Sequence, residues 1–134
     1  MPGIKDVEGI GPKYAEKLKK AGVRSTDKLL EKGATPAMRK TLEEQTGIGH
    51  GLILEWVNHV DLYRINGIGS EYSDLLEEAG VDSVPELAQR KPENLAAAMA
   101  ETNKKKKIVR KLPTEKMVKK WVEEAKKLPR IIKY

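Results

Sequence analysis

Apolar residues recur along this chain at helical spacing, and residues that start or stop helices bound most of the apolar segments. Leu52, Ile53, Trp56, Val57 and Val60 fall on one face of a helix, which indicates that they pack in a core. No segment shows the alternation of apolar and polar residues that is typical of a strand. The pattern therefore predicts an all-α fold, with Trp56 and its counterpart Trp121 in the core.

Helix boundaries follow from the same signals, because proline and Ser or Thr favour helix starts and glycine favours helix ends. The final segment, residues 130–134, follows Pro129 and is apolar enough to pack back on the body of the protein, with a partner surface as the alternative. The signals predict helices over about residues 12–21, 26–33, 36–45, 50–63, 70–79, 85–90, 92 into the lysine run at 104–107, and 114–128.

The tripeptide Gly-Ile-Gly occurs three times, at residues 9–11, 47–49 and 67–69. Residues 7–29 match residues 65–87 at an offset of 58, and the segment around Trp56 matches the segment around Trp121 at an offset of 65. The offset changes near the lysine run, which indicates an insertion of seven residues there. We therefore predict two tandem helical units, residues 1–63 and 64–134, related by pseudo-twofold symmetry and packed together.

Composition limits the class of protein. The chain has 134 residues, of which 39% are hydrophobic, and this is enough for one modest core or two small coupled cores. It has no apolar run of the roughly 20 residues that cross a bilayer, so we expect no membrane association and a cytoplasmic location. It has no cysteine, which excludes disulfides and thiolate metal sites.

Positive charge is concentrated towards the end of the chain. The net charge is +6, yet residues 103–134 alone carry 13 Lys and Arg against three Glu. Such a cluster is typical of proteins that bind nucleic acid. Most of the cationic residues are lysine, which is poorly suited to reading base edges, so we expect binding that is independent of sequence. Double-stranded DNA is favoured, with structured RNA next.

Signs of catalysis are few. His50 and His59 are nine residues apart on one predicted helix, hence on opposite sides of it, and they cannot bind one metal ion together. No cysteine nucleophile, serine triad or phosphate-loop motif is present. We therefore predict a protein that is not an enzyme and that has no cofactor and no metal.

The blocks Val7–Tyr14 and Ile65–Tyr72, each followed by Ala-Gly-Val and later by a Trp-Val helix, carry a family resemblance over almost the whole chain. The chain resembles the helix-hairpin-helix superfamily, and more closely the DUF4332 family of small tandem helix-hairpin-helix proteins. The resemblance implies units like those of SAM domains. It also implies binding to the DNA backbone, in which turn amides and a nearby Lys or Arg contact phosphates.

The first Gly-Ile-Gly turn has the residues that such binding needs. Glycines allow a sharp turn before a helix, and free amides at a helix start attract phosphate. The alternative is that the glycines only permit a tight turn between packed helices. The predicted binding residues here are Gly9, Gly11, Pro12 and Lys13, with Lys17, Lys20 and Arg24 adding charge.

The other candidates are weaker. The second turn offers Gly47, Gly49 and His50 without an adjacent lysine, whereas the third turn lies in an acidic segment and is interpreted as structural. The run Lys104, Lys105, Lys106 and Lys107 is a further candidate contact, unless it is only a solvated face. The competing hypothesis is a scaffold for protein–protein interaction or self-association, since acidic and basic regions on one chain permit head-to-tail contacts.

Overall fold

The computed structural model describes residues 3–134 and contains only helices within that range, which confirms the predicted all-α class. Across the same residues, none of the helices has both the length and the apolar character needed to cross a membrane. A 3₁₀ helix, Ile4–Asp6, precedes α1 Gly11–Lys20, α2 Thr26–Lys32, α3 Pro36–Thr46, α4 His50–Leu62, α5 Ser70–Glu78, α6 Val84–Ala88, α7 Pro92–Lys106 and α8 Glu115–Lys127.

Side-chain caps fix the starts of four helices, and the starts at Ser25, Thr35 and Thr114 agree with the predicted ones, whereas the cap at Ser83 was not predicted. The hydroxyls of Ser25, Thr35, Ser83 and Thr114 each accept a hydrogen bond from the backbone N–H three residues later, at 3.1 to 3.5 Å. Each such cap stabilises its helix by about 1 kcal/mol. These local bonds explain why the predicted helix starts lie close to the observed ones.

The helix predicted at residues 85–90 is wrong by a residue or two at each end. Ser83 is its cap, so the helix begins at Val84 and places Pro85 in its first turn. The amides of Gln89 and Arg90 donate to the carbonyls of Glu86 and Leu87, three residues back, which closes the helix early. The short 3₁₀ helix Ile4–Asp6 was not predicted at all.

The chain forms two compact units. Unit 1 comprises the described residues up to Asp61 together with Ile131–Tyr134, and unit 2 comprises Leu62–Arg130. The core of unit 1 includes Leu18, Leu29, Leu42, Ile53 and Trp56, all of them completely or almost completely buried. The core of unit 2 includes Leu75, Leu76, Leu87, Leu95 and Trp121.

Both tryptophans are buried, which confirms their predicted place in the core. Leu52 was predicted on the same buried face as Trp56, and this is wrong, because its side chain is 37% exposed. Leu52 lies in the first turn of α4, at the edge of the apolar stripe and next to the exposed Gly51. The core therefore begins at Ile53.

The C-terminal segment packs on unit 1, as predicted. Ile132 is buried, the Lys133 amide donates to the Ala34 carbonyl at 2.7 Å, and the Tyr134 hydroxyl donates to Asn58 Oδ1 at 2.7 Å. The buried Arg39 guanidinium donates to the carbonyls of Gly33 and Lys133, both at 2.8 Å. Because burial disfavours its charge, it lowers the pKa of Arg39.

Candidate functional site

The first turn, residues 7–11, is held against the core of unit 1. Val7 and Ile10 are buried, and the Ile10 amide donates to the Val7 carbonyl at 3.0 Å. Gly9 has φ +90°, and a Cβ atom at this position would lie 3.1 Å from Nε1 of Trp56. Glycine is therefore required here both for backbone conformation and for close packing.

Residues 5–14 line an open depression of about 480 Å³ around the first turn. Gly11, with φ +62°, faces open space, and Pro12 and Lys13 are exposed in the first helical turn of α1. Lys5 and Lys13 line the depression together with Asp6 and Glu8. The two lysines and the two carboxylates give these four residues no net charge. An anion is therefore favoured only on the α1 side of the depression, where Lys13 lies.

Along α1, Lys13, Lys17 and Lys20 form an exposed row that we call the α1 stripe. Their spacing of four and three residues places them on one helix face. The Lys17 ammonium lies 5.8 Å from the centroid of the Tyr14 ring, and Arg24 is exposed in the loop that follows α1. Among residues 3–134 no carboxylate pairs with these four cations, so their charge is available to a ligand.

The second turn, residues 47–51, joins α3 to α4. Gly47 ends α3 with φ +72°, and its amide donates to the Glu43 carbonyl at 2.8 Å. Ile48 is buried and anchors the turn, whereas Gly49, His50 and Gly51 are exposed. A Cβ atom on Gly49 or Gly51 would meet no atom within 4 Å, and neither residue has a positive φ. The fold therefore does not require glycine at these two positions.

The matching turn of unit 2, residues 112–114, is closed by side chains. Pro113 is buried, and Thr114 Oγ1 accepts a hydrogen bond from the Met117 amide at 3.1 Å. Gly49, at the position of Thr114, has no side chain with which to cap α4. The first turn of α4 therefore presents more open backbone than the first turn of α8.

The third turn, residues 65–69, repeats the geometry of the first turn only in part. Gly67 has φ +92°, like Gly9, and its Cβ position lies 3.3 Å from Nε1 of Trp121. Gly69, however, has φ −115°, whereas its counterpart Gly11 is left-handed. The Asn66 amide donates to both carboxylate oxygens of Glu124, at 3.0 and 3.2 Å. An internal anion therefore already occupies this turn.

The lysine run ends α7 in unit 2. Lys104, Lys105, Lys106 and Lys107 are exposed, and Lys107 closes the helix in the left-handed conformation. Lys106 Nζ donates to Glu78 Oε2 at 2.6 Å, and this bond raises the pKa of Lys106. Lys105 lies 3.8 Å from Glu101. Two of the four predicted contact residues are therefore engaged within the unit.

The structure brings one set of predicted residues together. Gly9, Gly11, Pro12 and Lys13 share the depression of the first turn, and the α1 stripe continues from it. The second turn belongs to the same unit. The first turn contacts Trp56, which follows His50 by six residues, or about 9 Å along α4. The two turns are therefore held by one helix.

Sequence reasoning missed Lys5, which lines the depression beside Lys13. Lys5 lies in the 3₁₀ helix, before the first residue of the internal repeat at position 7, so the repeat gave no signal for it. Because Lys5 stands next to Asp6, the sequence gave no reason to distinguish it from other charged surface residues.

Residues 8–128 match the model of a family described as a domain of unknown function (DUF4332). No curated protein and no solved structure matches the chain.

Proposed function

Because this chain belongs to the DUF4332 family, whose function is unknown, we propose a function from its own surface: unit 1 binds the backbone of double-stranded DNA without sequence preference. The ligand is the phosphate backbone, and the protein contributes cationic side chains and the amides of glycine turns. Binding of this kind needs no chemical step, and we propose a role that is not enzymatic.

The observation that carries this proposal is the α1 stripe. Lys13, Lys17, Lys20 and Arg24 are exposed, and no carboxylate among residues 3–134 neutralises them. A row of lysines on one helix, with an arginine in the loop that follows, attracts a polyanion, and association releases the counterions that surround the nucleic acid. The stripe begins at the first turn, so a phosphate that contacts Lys13 also lies near the amino end of α1.

The two open turns support the same proposal. We interpret the first and second turns as helix-hairpin-helix turns, and the two units as tandem copies of one helix-hairpin-helix repeat. Gly11 and Gly49 face open space, so a phosphate oxygen has steric access to the backbone at both turns. The first turn packs on α4 and the second turn begins it, which supports contact of both turns with one DNA molecule.

The chemistry of the stripe favours backbone contact over base reading. Lysine is a point charge without the fork geometry that recognises guanine, and three of the four cations are lysines. Duplex DNA is preferred to RNA as the partner, and its binding implies a cytoplasmic, nucleoid-associated protein. Lys104, Lys105 and Lys107 form a secondary contact surface in this proposal, while Glu78 holds Lys106.

The proposal is tested by fluorescence anisotropy with a labelled duplex of about 30 base pairs over a series of salt concentrations. If four phosphates are neutralised, the plot of log K against log salt has a slope of about −3.6. Lys13→Glu is expected to weaken binding strongly and to reduce the slope by about 1 or more. Lys40→Glu is the matched control, because Lys40 is an exposed lysine of the same unit that lies on a different helix, α3.

A second variant separates the two candidate surfaces. Replacing Lys104, Lys105, Lys106 and Lys107 by glutamine removes the charge of the lysine run and leaves the α1 stripe intact. We expect this change to weaken binding less than Lys13→Glu does. The larger loss in the lysine-run variant would move the site to unit 2, and no binding by the parent at low salt would overturn the proposal.

A further inference from the structure

Unit 1 and unit 2 hold α1 and α5 in the same local setting. The Tyr14 and Trp56 rings lie 5.2 Å apart at 56°, and the Tyr72 and Trp121 rings lie 5.2 Å apart at 53°. Each helix ends with the same 2.8 Å backbone bond, from Val23 to Leu18 in unit 1 and from Val81 to Leu76 in unit 2. The two helices can therefore be compared position by position at an offset of 58 residues.

The charges are opposite at four of the matched positions. Glu71 and Glu78 on α5 are exposed, as are Lys13 and Lys20 on α1, and each pair occupies a single helix face. Glu16 and Asp74 are acidic in both units, so the reversal is not a general drift of composition. The reversed pairs are Lys13 and Glu71, Lys19 and Glu77, Lys20 and Glu78, and Arg24 and Asp82.

The face of α5 already binds an ammonium group. Lys106 Nζ lies 2.6 Å from Glu78 Oε2, at a site where the side chains are 55% and 36% exposed. The pair is accessible to solvent, so a lysine from another molecule can reach the same face and exchange with Lys106. This contact is direct evidence that the α5 face binds an ammonium group, and it is independent of the number of acidic residues on that face.

We propose that the acidic face of α5 binds the α1 stripe of a second copy of this chain, so that copies associate head to tail. The occupant is a second copy because the complementary charges stand at the same spacing on the equivalent helix of the same protein. An antiparallel contact places Lys20 opposite Glu71 and Lys13 opposite Glu78. The two contacting surfaces are different, so the association is heterologous and can continue from copy to copy.

The expected association is weak and sensitive to salt. Ion pairs at an exposed surface contribute little each and are screened by added ions. The α1 stripe is also the surface that we propose for DNA, so duplex DNA and a second copy compete for it. The inference does not depend on DNA binding, because Glu71 belongs to the association and not to the proposed DNA surface.

Sedimentation velocity at low salt, over a wide range of protein concentrations, tests the proposal with two exposed single substitutions. Lys20→Glu and Glu71→Lys are each expected to weaken association by about tenfold or more, since each places like charges opposite one another. An equimolar mixture of the two variants is expected to associate again, because one retains the native α5 face and the other the native α1 stripe. Lys40→Glu and Glu44→Lys on α3 are the matched controls and are expected to associate like the parent.

The outcomes are distinct from those of the DNA experiment. Lys20→Glu is expected to weaken both association and DNA binding, whereas Glu71→Lys is expected to weaken association alone. A parent chain that stays monomeric at every concentration overturns the proposal. It is also overturned if the mixture remains monomeric after both single variants have lost association, because complementary faces must then be absent.

Discussion

The helices α1 and α5 make the same tyrosine–tryptophan contact with the core, but their exposed faces carry different residues. Lys13, Lys17 and Lys20 are exposed on α1, whereas the matching residues of α5 are Glu71, Leu75 and Glu78. Leu75 is completely buried, and Glu78 binds Lys106 at the end of α7. The equivalent of α7 in unit 1 is α3, which has 11 residues where α7 has 15. In unit 2 a longer helix therefore brings its own cation to a face that unit 1 leaves open.

The turns that precede α1 and α5 likewise share their packing on the core but differ at the surface. Gly9 and Gly67 share a left-handed conformation and a close approach to a tryptophan, which are requirements of the fold. Gly11 and Gly69 differ in conformation, and in unit 2 the Asn66 amide donates to Glu124, whose counterpart in unit 1 is His59. The turn and its anchor are thus kept in both units while the surface changes. A shared backbone plan consequently says little about function until the side chains around it are known.

The largest effect is expected when the surface of α5 is transferred to α1. Lys13→Glu, Lys20→Glu and Arg24→Asp together give unit 1 the charges that unit 2 carries at the matching positions. We expect DNA affinity to fall by about 100-fold or more, because three attractive contacts become repulsive. Fluorescence anisotropy with the labelled duplex measures the loss.

Stability is the control for this exchange, since all three residues are exposed. Substitutions at such positions usually change the free energy of unfolding by less than about 0.5 kcal/mol. Urea unfolding of the triple variant should therefore match that of the parent. DNA binding that persists in a folded triple variant would remove the functional contrast between the two faces.

The next largest effect tests the feature that the two units share. Gly9→Ala and Gly67→Ala each force a side chain into the left-handed region, with Cβ 3.1 or 3.3 Å from a tryptophan nitrogen. Each change is expected to lower the free energy of unfolding by about 1–3 kcal/mol. Urea unfolding measures this, with Gly49→Ala as the control, because that position is open. A Gly9→Ala variant as stable as the parent would show that the first turn adapts to a side chain, and the same result for Gly67→Ala would show this for the third turn.

Local features of this fold could be predicted because the signals for them lie within a few residues. Ser25, Thr35 and Thr114 lie at predicted helix starts and cap helices through bonds to the third following amide, and the Gly-Ile-Gly repeat marks the turns at residues 9–11 and 67–69. The burial of Trp56 and Trp121 followed from helical periodicity alone. The proximity of the first turn and the α1 stripe could be predicted for the same reason, since they are contiguous in sequence.

Contacts between distant residues could not be predicted in this way. Glu124 binds Asn66, and Lys106 binds Glu78, at sequence separations of 58 and 28 residues. Neither pair has a local signal, because each depends on how two helices pack. For the same reason the lysine run was assigned as one uniform surface, although Lys106 is held by α5. The predicted burial of Leu52 was wrong for a similar reason. Periodicity defines which face of a helix is apolar, but it does not show where along the helix that face becomes exposed to solvent.

A smaller effect is expected at the second turn, where Gly51 of unit 1 corresponds to Lys116 of unit 2. Gly51 lies in the first turn of α4 with open space around it, so Gly51→Ala should stabilise the protein by about 0.5–1 kcal/mol. If a phosphate approaches this backbone, the added methyl group obstructs it, and DNA affinity should fall several-fold despite the gain in stability. Urea unfolding and anisotropy on the same sample separate the two effects. Unchanged affinity would assign the second turn to the fold alone.

The smallest effect concerns the bond that covers α5. Glu78 raises the pKa of Lys106 above its ordinary value of 10.5, so the bond stabilises the fold while Lys106 is charged and is lost as pH rises through the raised pKa. Lys106→Gln should therefore have a lower Tm than the parent near neutral pH, and this difference should shrink in strongly alkaline buffer. Lys104→Gln removes an adjacent exposed charge and is the control for the general loss of a cation. A Tm difference that stays constant into the alkaline range would mean that Lys106 acts through packing, and that the charge on α5 is not what draws α7 over it.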